Sequence, residues 1–278
     1  IMKSSIVWLA SYPKSGNTWV RAFLANYLSN AQTPVSINEI HKYGVGDNIL
    51  GMYQRVAGGP FDLDDIELSV KLRGRVLAGI VANNADVNLV KTHNINNHVY
   101  GIHLIPAQLT RSAIYIMRNP LDMVSSYARH FGVSVEDAAH RICHPHNGTG
   151  AYEKNVATFM GSWSDHVKSW TQVLPYPVLV LRYEDMLAQP EVEFAKVVQH
   201  FGMPVDPERL TRAIKHCSFD ELKRQESEQE FIERSEYTDK FFVKGQSGQW
   251  KDELSRRVIK DIKRGNRDVM KKYGYWDE

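Results

Sequence analysis

The chain has 278 residues, 43 % of them apolar and 24 % charged, and a formal net charge of +2. That is long enough to bury a sizeable core, and a near-neutral balance without a basic block excludes a general nucleic-acid surface. No apolar run approaches the roughly 18 residues of a membrane span. Cys143 and Cys217 stand too far apart in sequence to make a disulfide framework, so a reducing, cytoplasmic setting is expected.

The first element begins almost at once. "SIVWLAS" (5–11) is a short apolar run that reads as a buried strand and leaves no room for a signal peptide. Ile1 stands ahead of Met2, which leaves an upstream segment open. The loop "YPKSGNTW" follows, then a helical pattern over Thr18 to Ser29. Compared with a nucleotide-triphosphate loop, G-x-x-x-x-G-K-[ST], Ser11 replaces the first glycine and Asn17 the lysine, while Lys14 appears two residues before Gly16. Gly16 permits close backbone approach. The amides of Gly16 to Trp19 open the helix and make an anion seat, to which Ser15, Asn17 and Thr18 add polar side chains and Lys14 a charge.

Residues 33–60 have no decided pattern, and Asp64 to Asn83 reads as a helix. The strand "VNLVKT" then ends in "VKTHN". Residues two apart on a strand share a face, so Lys91 and His93 can point into one pocket, and a histidine there can accept a hydroxyl proton near neutral pH. The strand "RSAIYIM" leads through Arg118 into a helix over Pro120 to Phe131, with Pro120 in the first turn. Arg118 can fork onto a phosphate, and Ser126 lies about two turns into the helix.

Residues 132–152 are undecided. A helix is predicted from Glu153 to Leu174, and the strand "YPVLVLRY" ends at Tyr183, an aromatic with a polar tip. Helices are expected over Pro190 to Phe201 and Pro207 to His216. The stretch 225–242 is undecided, "FFVKGQSGQWKDEL" reads as a flexible loop with Lys244, Gly245 and Gly248, and Lys251 to Lys272 is a last helix whose "RRVIKDIKR" forms a solvated face. Strands alternating with amphipathic helices give an α/β fold with a mainly parallel sheet. Ligands of such sheets sit at the carboxyl ends of the strands, so the three undecided stretches are candidate lids and pocket walls.

Mg²⁺-dependent phosphoryl transfer needs an acidic strand end. Here only "LRYED" offers carboxylates, Glu184 and Asp185, beyond Tyr183, while the other strand ends are basic. Sulfuryl transfer, which carries less charge, fits better. His140, Cys143, His144 and His146 fall in a stretch read as loop, with no second ligand set to make a metal site.

In chain order, "YPKSGNTW", "KTH", "RNPLDMVSSY", "GSWSDHVKSW", "YEDM", "CSFDELK" and "KGQSGQWK" resemble the sulfotransferases that use 3′-phosphoadenosine 5′-phosphosulfate (PAPS), especially the cytosolic type acting on small hydroxylated molecules. The resemblance implies one domain over 1–278 with a three-layer, P-loop-like α/β fold, a central mainly parallel sheet flanked by helices. It implies that Lys14, Ser15, Gly16, Asn17, Thr18 and Trp19 hold the 5′-phosphosulfate, Trp19 also lying against the adenine. Arg118 and Ser126, with Lys244 and Gly245, hold the 3′-phosphate, and Tyr183 and Phe219 contact the adenine. His93 is then the general base, with Lys14 steadying the leaving oxygen and Lys91 the sulfuryl group, in a single in-line displacement that needs no metal. The implied partner is a small-molecule hydroxyl acceptor, not nucleic acid or a membrane, and the implied assembly is a monomer or homodimer. An apolar or aromatic alcohol or phenol is the default acceptor, a glycosylated or peptide-like natural product the alternative. Two departures stand out: Val243 occupies the place of an arginine in the family's Arg-Lys-Gly closing loop, and the C-terminal dimer motif of the animal enzymes is not recognisable. A P-loop kinase and a non-catalytic nucleotide-binding protein are the rival readings.

Overall fold

Alternation along the central strands divides the apolar side chains between two cores. In the computed structural model, which describes residues 4–277, β1 (Ser5–Ser11) is buried along its whole length. Its Ile6, Trp8 and Ala10 enter one core and Leu9 the other, as the two-residue period of a pleated strand requires. Ile1 and Met2 lie outside the described residues.

Five strands form the central sheet: β1, β2 (Val45–Gly46), β3 (Val87–Thr92), β6 (Thr110–Met117) and β9 (Val178–Arg182). Two small hairpins, β4 with β5 (His98–Val99, Ile102–His103) and β7 with β8 (Gly148–Thr149, Thr158–Phe159), stand apart from it. The order is β2-β3-β1-β6-β9, and every pairing is parallel. Ala10 pairs with Thr92 and Ser11 with Ile116, so β1, β3 and β6 end level with one another.

On the Leu9 face, α1 (Asn17–Ser29), α8 (Pro190–His200), α9 (Pro207–His216) and α10 (Phe219–Glu228) pack over Ile114, Ile116 and Leu181. On the opposite face lie α3 (Ile66–Val81), α4 (Pro120–Phe131), α5 (Val135–Ile142), α6 (Trp163–Thr171) and α12 (Arg256–Lys272). Short helices α2 (Leu50–Ala57), α7 (Tyr183–Ala188) and α11 (Trp250–Glu253) complete three layers. No helix among the described residues is long and apolar enough to cross a membrane.

The helix expected from Glu153 begins ten residues later. Thr158 and Phe159 pair with β7 instead, and Ser162 caps α6 by accepting from the Asp165 amide at 3.0 Å, a start signal that prevails over the helical periodicity upstream. The helix expected over Lys251 to Lys272 breaks likewise, because Ser255 accepts from the Val258 amide and starts α12 afresh. The undecided stretches contain α2, α5 and the end of α10. His140 therefore lies on a helix, and Cys143 caps it.

Candidate active site

The loop after β1 is shaped by two left-handed residues, Lys14 (φ 65°) and Gly16 (φ 106°). This conformation is strained for a lysine and open to glycine. A Cβ at position 16 would lie 2.9 Å from Tyr183 Cδ2, so glycine is required by space as well. Asn17 does not point outward: its Nδ2 donates to the Leu9 carbonyl at 2.9 Å, and its Oδ1 accepts from Arg21 Nε at 3.1 Å. Thr18 Oγ1 accepts from the same guanidinium at 3.2 Å. Ser15 is buried, and its Oγ has no partner among the described residues. The same holds for Arg118 Nε. Buried polar atoms are rarely left unpaired, so this loop fits an anion with several acceptor oxygens.

Lys14 lies under Phe241, its Nζ 3.5 Å from the ring centroid. Burial pushes its ammonium down to about 7, with Arg118, Arg129 and Lys91 adding repulsion. Arg118, at the end of β6, donates to the Lys14 carbonyl and to the Gln246 carbonyl, each at 3.2 Å, and stacks 4.4 Å over Tyr183. Tyr183 in turn meets Trp19 edge-on at 5.7 Å.

At the end of β3 the two faces of the strand do different work. Thr92 and Asn94 turn to Asp47, at 2.6 and 3.0 Å, and Arg73 closes that buried group at 2.8 Å. Lys91 and His93 therefore turn the other way, into the cavity. His93 Nδ1 lies 2.8 Å from the Ser11 carbonyl. A carbonyl can only accept, so Nδ1 carries the hydrogen and Nε2 the lone pair. Burial and then Lys91 hold the imidazole well below its ordinary range, so it is neutral. Its backbone carbonyl accepts from His166 Nε2 at 3.0 Å, and Tyr115 donates to His166 Nδ1 at 2.8 Å.

A single cavity of about 1020 Å³ reaches from the Lys14 loop to His93. It touches Lys14, Gly16, Asn17, Thr18, Trp19, Lys91 and His93, and also Arg118, Ser126, Tyr183, Phe219, Lys244 and Gly245. Of the residues expected to bind the cofactor or take part in the transfer, only Ser15 stands behind its wall. Lys244 is held by Glu253. Gly245 (φ 61°) passes so close to Phe219 that a Cβ would fall 2.3 Å from the ring.

Four contacts escape sequence reasoning. Glu233 sits inside the cavity with Oε2 3.3 Å from Lys91 Nζ and receives two bonds from Arg21, at 2.8 and 2.7 Å. Burial works to raise its pKa, but Arg21 and Lys91 outweigh it and keep the group ionised. Asp122, in the first turn of α4, accepts from the amides of Gly248 and Trp250 at 2.8 and 3.1 Å. Glu226 accepts from the amides of Phe241 and Phe242 at 2.6 and 2.9 Å, which sets Phe241 over Lys14. His166 backs His93. Only Asp122 had a local signal, as an acidic first-turn residue at the loop end of a strand–helix unit. Glu184 does not face the cavity: it accepts from the Asn119 amide and from Tyr275, both at 2.9 Å. Among the described residues no group of three or more His, Cys, Asp or Glu side chains is arranged to hold a metal ion.

With this geometry in hand, the comparisons converge. The family described as the sulfotransferase domain matches residues 4–274. Sulfotransferase 1 family member D1 of Mus musculus is 26 % identical over 280 residues, covering 96 % of this chain and 82 % of that protein. Cytosolic sulfotransferase 12 of Arabidopsis thaliana is 26 % identical, covering 98 % and 79 %. Among solved structures, retinol dehydratase with androsterone and the inactive cofactor PAP superposes with a TM-score of 0.65 at 19 % identity, covering 98 % of this chain and 82 % of that one. Mouse sulfotransferase SULT7A1 complexed with PAP gives 0.61 at 18 %, covering 97 % and 85 %. At such identities the structural likeness establishes a common fold.

Proposed function

The chain belongs to the sulfotransferase domain family, and from that premise we propose that it transfers the sulfuryl group of PAPS to a hydroxyl of a small-molecule acceptor, with His93 as general base. The observation that carries the reading is the convergence of Lys14, Lys91 and a neutral His93 on one cavity. The PAP carried by both solved relatives supports the cofactor, as do the unpaired Ser15 Oγ in the loop after β1 and the unpaired Arg118 Nε at the end of β6.

In this reading the segment from Lys14 to Trp19 binds the 5′-phosphosulfate through its backbone amides and Ser15. Arg118 and Ser126 bind the 3′-phosphate, joined by Gly245 and by Lys244 once it leaves Glu253. Trp19, Tyr183 and Phe219 bracket the adenine. PAPS supplies the sulfuryl group, and PAP is its leaving part. His93 takes the acceptor's hydroxyl proton at Nε2, while its Nδ1–H stays on Ser11. Lys14 and Lys91 place fixed positive charge where negative charge develops, so positioning and electrostatics lower the barrier for a single in-line displacement. The reading places the protein in the cytoplasm as one domain over 1–278, needing neither metal nor nucleic acid nor a membrane.

Calorimetric titration of PAP without metal, in the wild type and in Arg118→Ala, tests this. Tight metal-free binding that the substitution abolishes is the expected result. Failure to bind PAP, with Mg²⁺-ATP binding in its place, would remove the sulfotransferase reading and restore the kinase.

A further inference from the structure

One face of α4 looks into the cavity from its first turn to its third, through Asp122, Ser125, Ser126 and Arg129. Asp122, Ser126 and Arg129 are spaced i, i+4 and i+7, so they stack in one row. A long helical side chain leans back over the turn before its own Cα. The Arg129 guanidinium is thereby carried toward Ser126, and toward Arg118 at the strand end that feeds the helix. Arg129 is exposed, lines the cavity, and forms no hydrogen bond or ion pair with another described residue. The one carboxylate of α4, Asp122, is taken by the amides of Gly248 and Trp250. Glu230, Glu233 and Glu253 share the cavity but are closed by Arg234, by Arg21 with Lys91, and by Lys244.

The connection 229–249 is tied to both ends of this face. Ser235 donates to the His130 carbonyl at 2.5 Å near the end of α4, and Gly248 donates to Asp122 at its start. Between those ties Val243, Lys244 and Gly245 reach the cavity. Of these only Lys244 is charged, and it is committed to Glu253. Arg118 and Arg129 thus lie on either side of Ser126 along the wall, and neither has a carboxylate partner among the described residues. Burial and the Arg118 charge lower the Arg129 pKa, as convergence of like charges requires, and a guanidinium stays protonated even so. Two uncompensated forks of this kind suit a dianion, since each takes two phosphate oxygens at once.

We propose that Arg129 is a further ligand of the 3′-phosphate of PAPS, completing with Arg118 and Ser126 a seat that selects nucleotides phosphorylated at that position. The inference rests on the sulfotransferase reading and extends it: Arg129 supplies from the helix a guanidinium that the closing segment, with Val243, does not. The test is calorimetric titration without metal of PAP and of 5′-AMP, which keeps the adenine and the 5′-phosphate but lacks the 3′-phosphate. Both are titrated into the wild type, Arg129→Gln and Arg129→Lys. The wild type should bind PAP more tightly than AMP. Arg129→Gln should weaken PAP roughly ten- to hundredfold, the order of a hydrogen bond to a charged group, and leave AMP unchanged. Arg129→Lys, which keeps the charge and loses the fork, should fall between. An unchanged PAP affinity in Arg129→Gln, equal losses on both nucleotides, or a wild type that binds PAP no more tightly than AMP would overturn the proposal. A wild type that binds neither nucleotide, or takes Mg²⁺-ATP in place of PAP, would instead overturn the sulfotransferase reading. Arg129 is exposed and unbonded in the free protein, so both variants should keep the wild-type melting curve.

Discussion

Glu233 clamps two cations at once: its carboxylate takes paired bonds from Arg21 at 2.8 and 2.7 Å and an ion pair from Lys91 at 3.3 Å. Arg21 is 3 % exposed and Glu233 23 %. Breaking such a pair leaves buried charge without a counterpart, which costs about 3–5 kcal/mol when fully buried. Glu233→Gln should therefore lose about 3 kcal/mol, read as a lower urea midpoint at unchanged slope. A loss below about 0.5 kcal/mol, the range of an exposed pair, would show that the clamp holds nothing.

His93→Ala removes the proposed base and should lower kcat about 10²- to 10⁴-fold while PAP still binds. The pH dependence has a definite sign. Burial and Lys91 depress the His93 pKa well below 6.5, and only the neutral ring can take a proton. The acidic limb of kcat/KM for the acceptor should accordingly lie well below the ordinary histidine range. A limb centred at 6.5 or higher would contradict the geometry described for His93.

Lys14 titrates in the opposite sense. Its ammonium is pushed down to about 7 in the free protein, and the anionic cofactor favours the charged form. Below that pH the proton is already present; above it, binding must take one up. PAP affinity should fall as pH rises beyond 7, by up to about tenfold per unit. In Lys14→Arg, whose guanidinium keeps its charge, the decline should flatten. Equal slopes in both proteins would remove Lys14 from the binding step.

The closing segment gives a paired prediction. Gly245→Ala sets a Cβ against Phe219 at 2.3 Å in a left-handed residue, and Asp122→Ala frees the amides of Gly248 and Trp250. Each should weaken PAP binding by about tenfold or more, since a bond to a charged group is worth about 1.5–3 kcal/mol. Val243→Arg should act in the other direction by restoring a charge beside Lys244. Calorimetry on the three variants separates these outcomes, and unchanged affinity in all of them would show that this segment does not touch the cofactor.

Four strands of the central sheet, the anion loop and α4 were legible because their signals are local, whereas β2 and the hairpin strands, two residues each, carry no such signal. A buried strand announces itself by an unbroken apolar run, and α4 by Pro120 in its first turn, where the structure adds Asn119 capping the Leu121 amide. Lys91 and His93 were legible because strand geometry alone puts them on one face. Glu233 was not, since its partner Lys91 is 142 residues away in the chain and nothing around Ile232 and Arg234 points to it. The start of α6 was missed for a different reason: helical periodicity continued upstream into residues that pair with β7. Asn17 was read as a ligand side chain, and the fold uses it to tie α1 to β1.

One connection, residues 229–249, sets Glu233 on Lys91, Phe241 over Lys14 and the Gln246 carbonyl on Arg118. On the proposed reading, cofactor loop and acceptor chamber are thus fastened by the same piece of chain, and whatever orders that piece for one ligand has been done for the other. Linkage then makes the effect reciprocal: if PAP tightens acceptor binding by some factor, the acceptor tightens PAP by the same factor. On the same reading the reciprocity extends to release, since the departure of either ligand removes what it contributed to the affinity for the other.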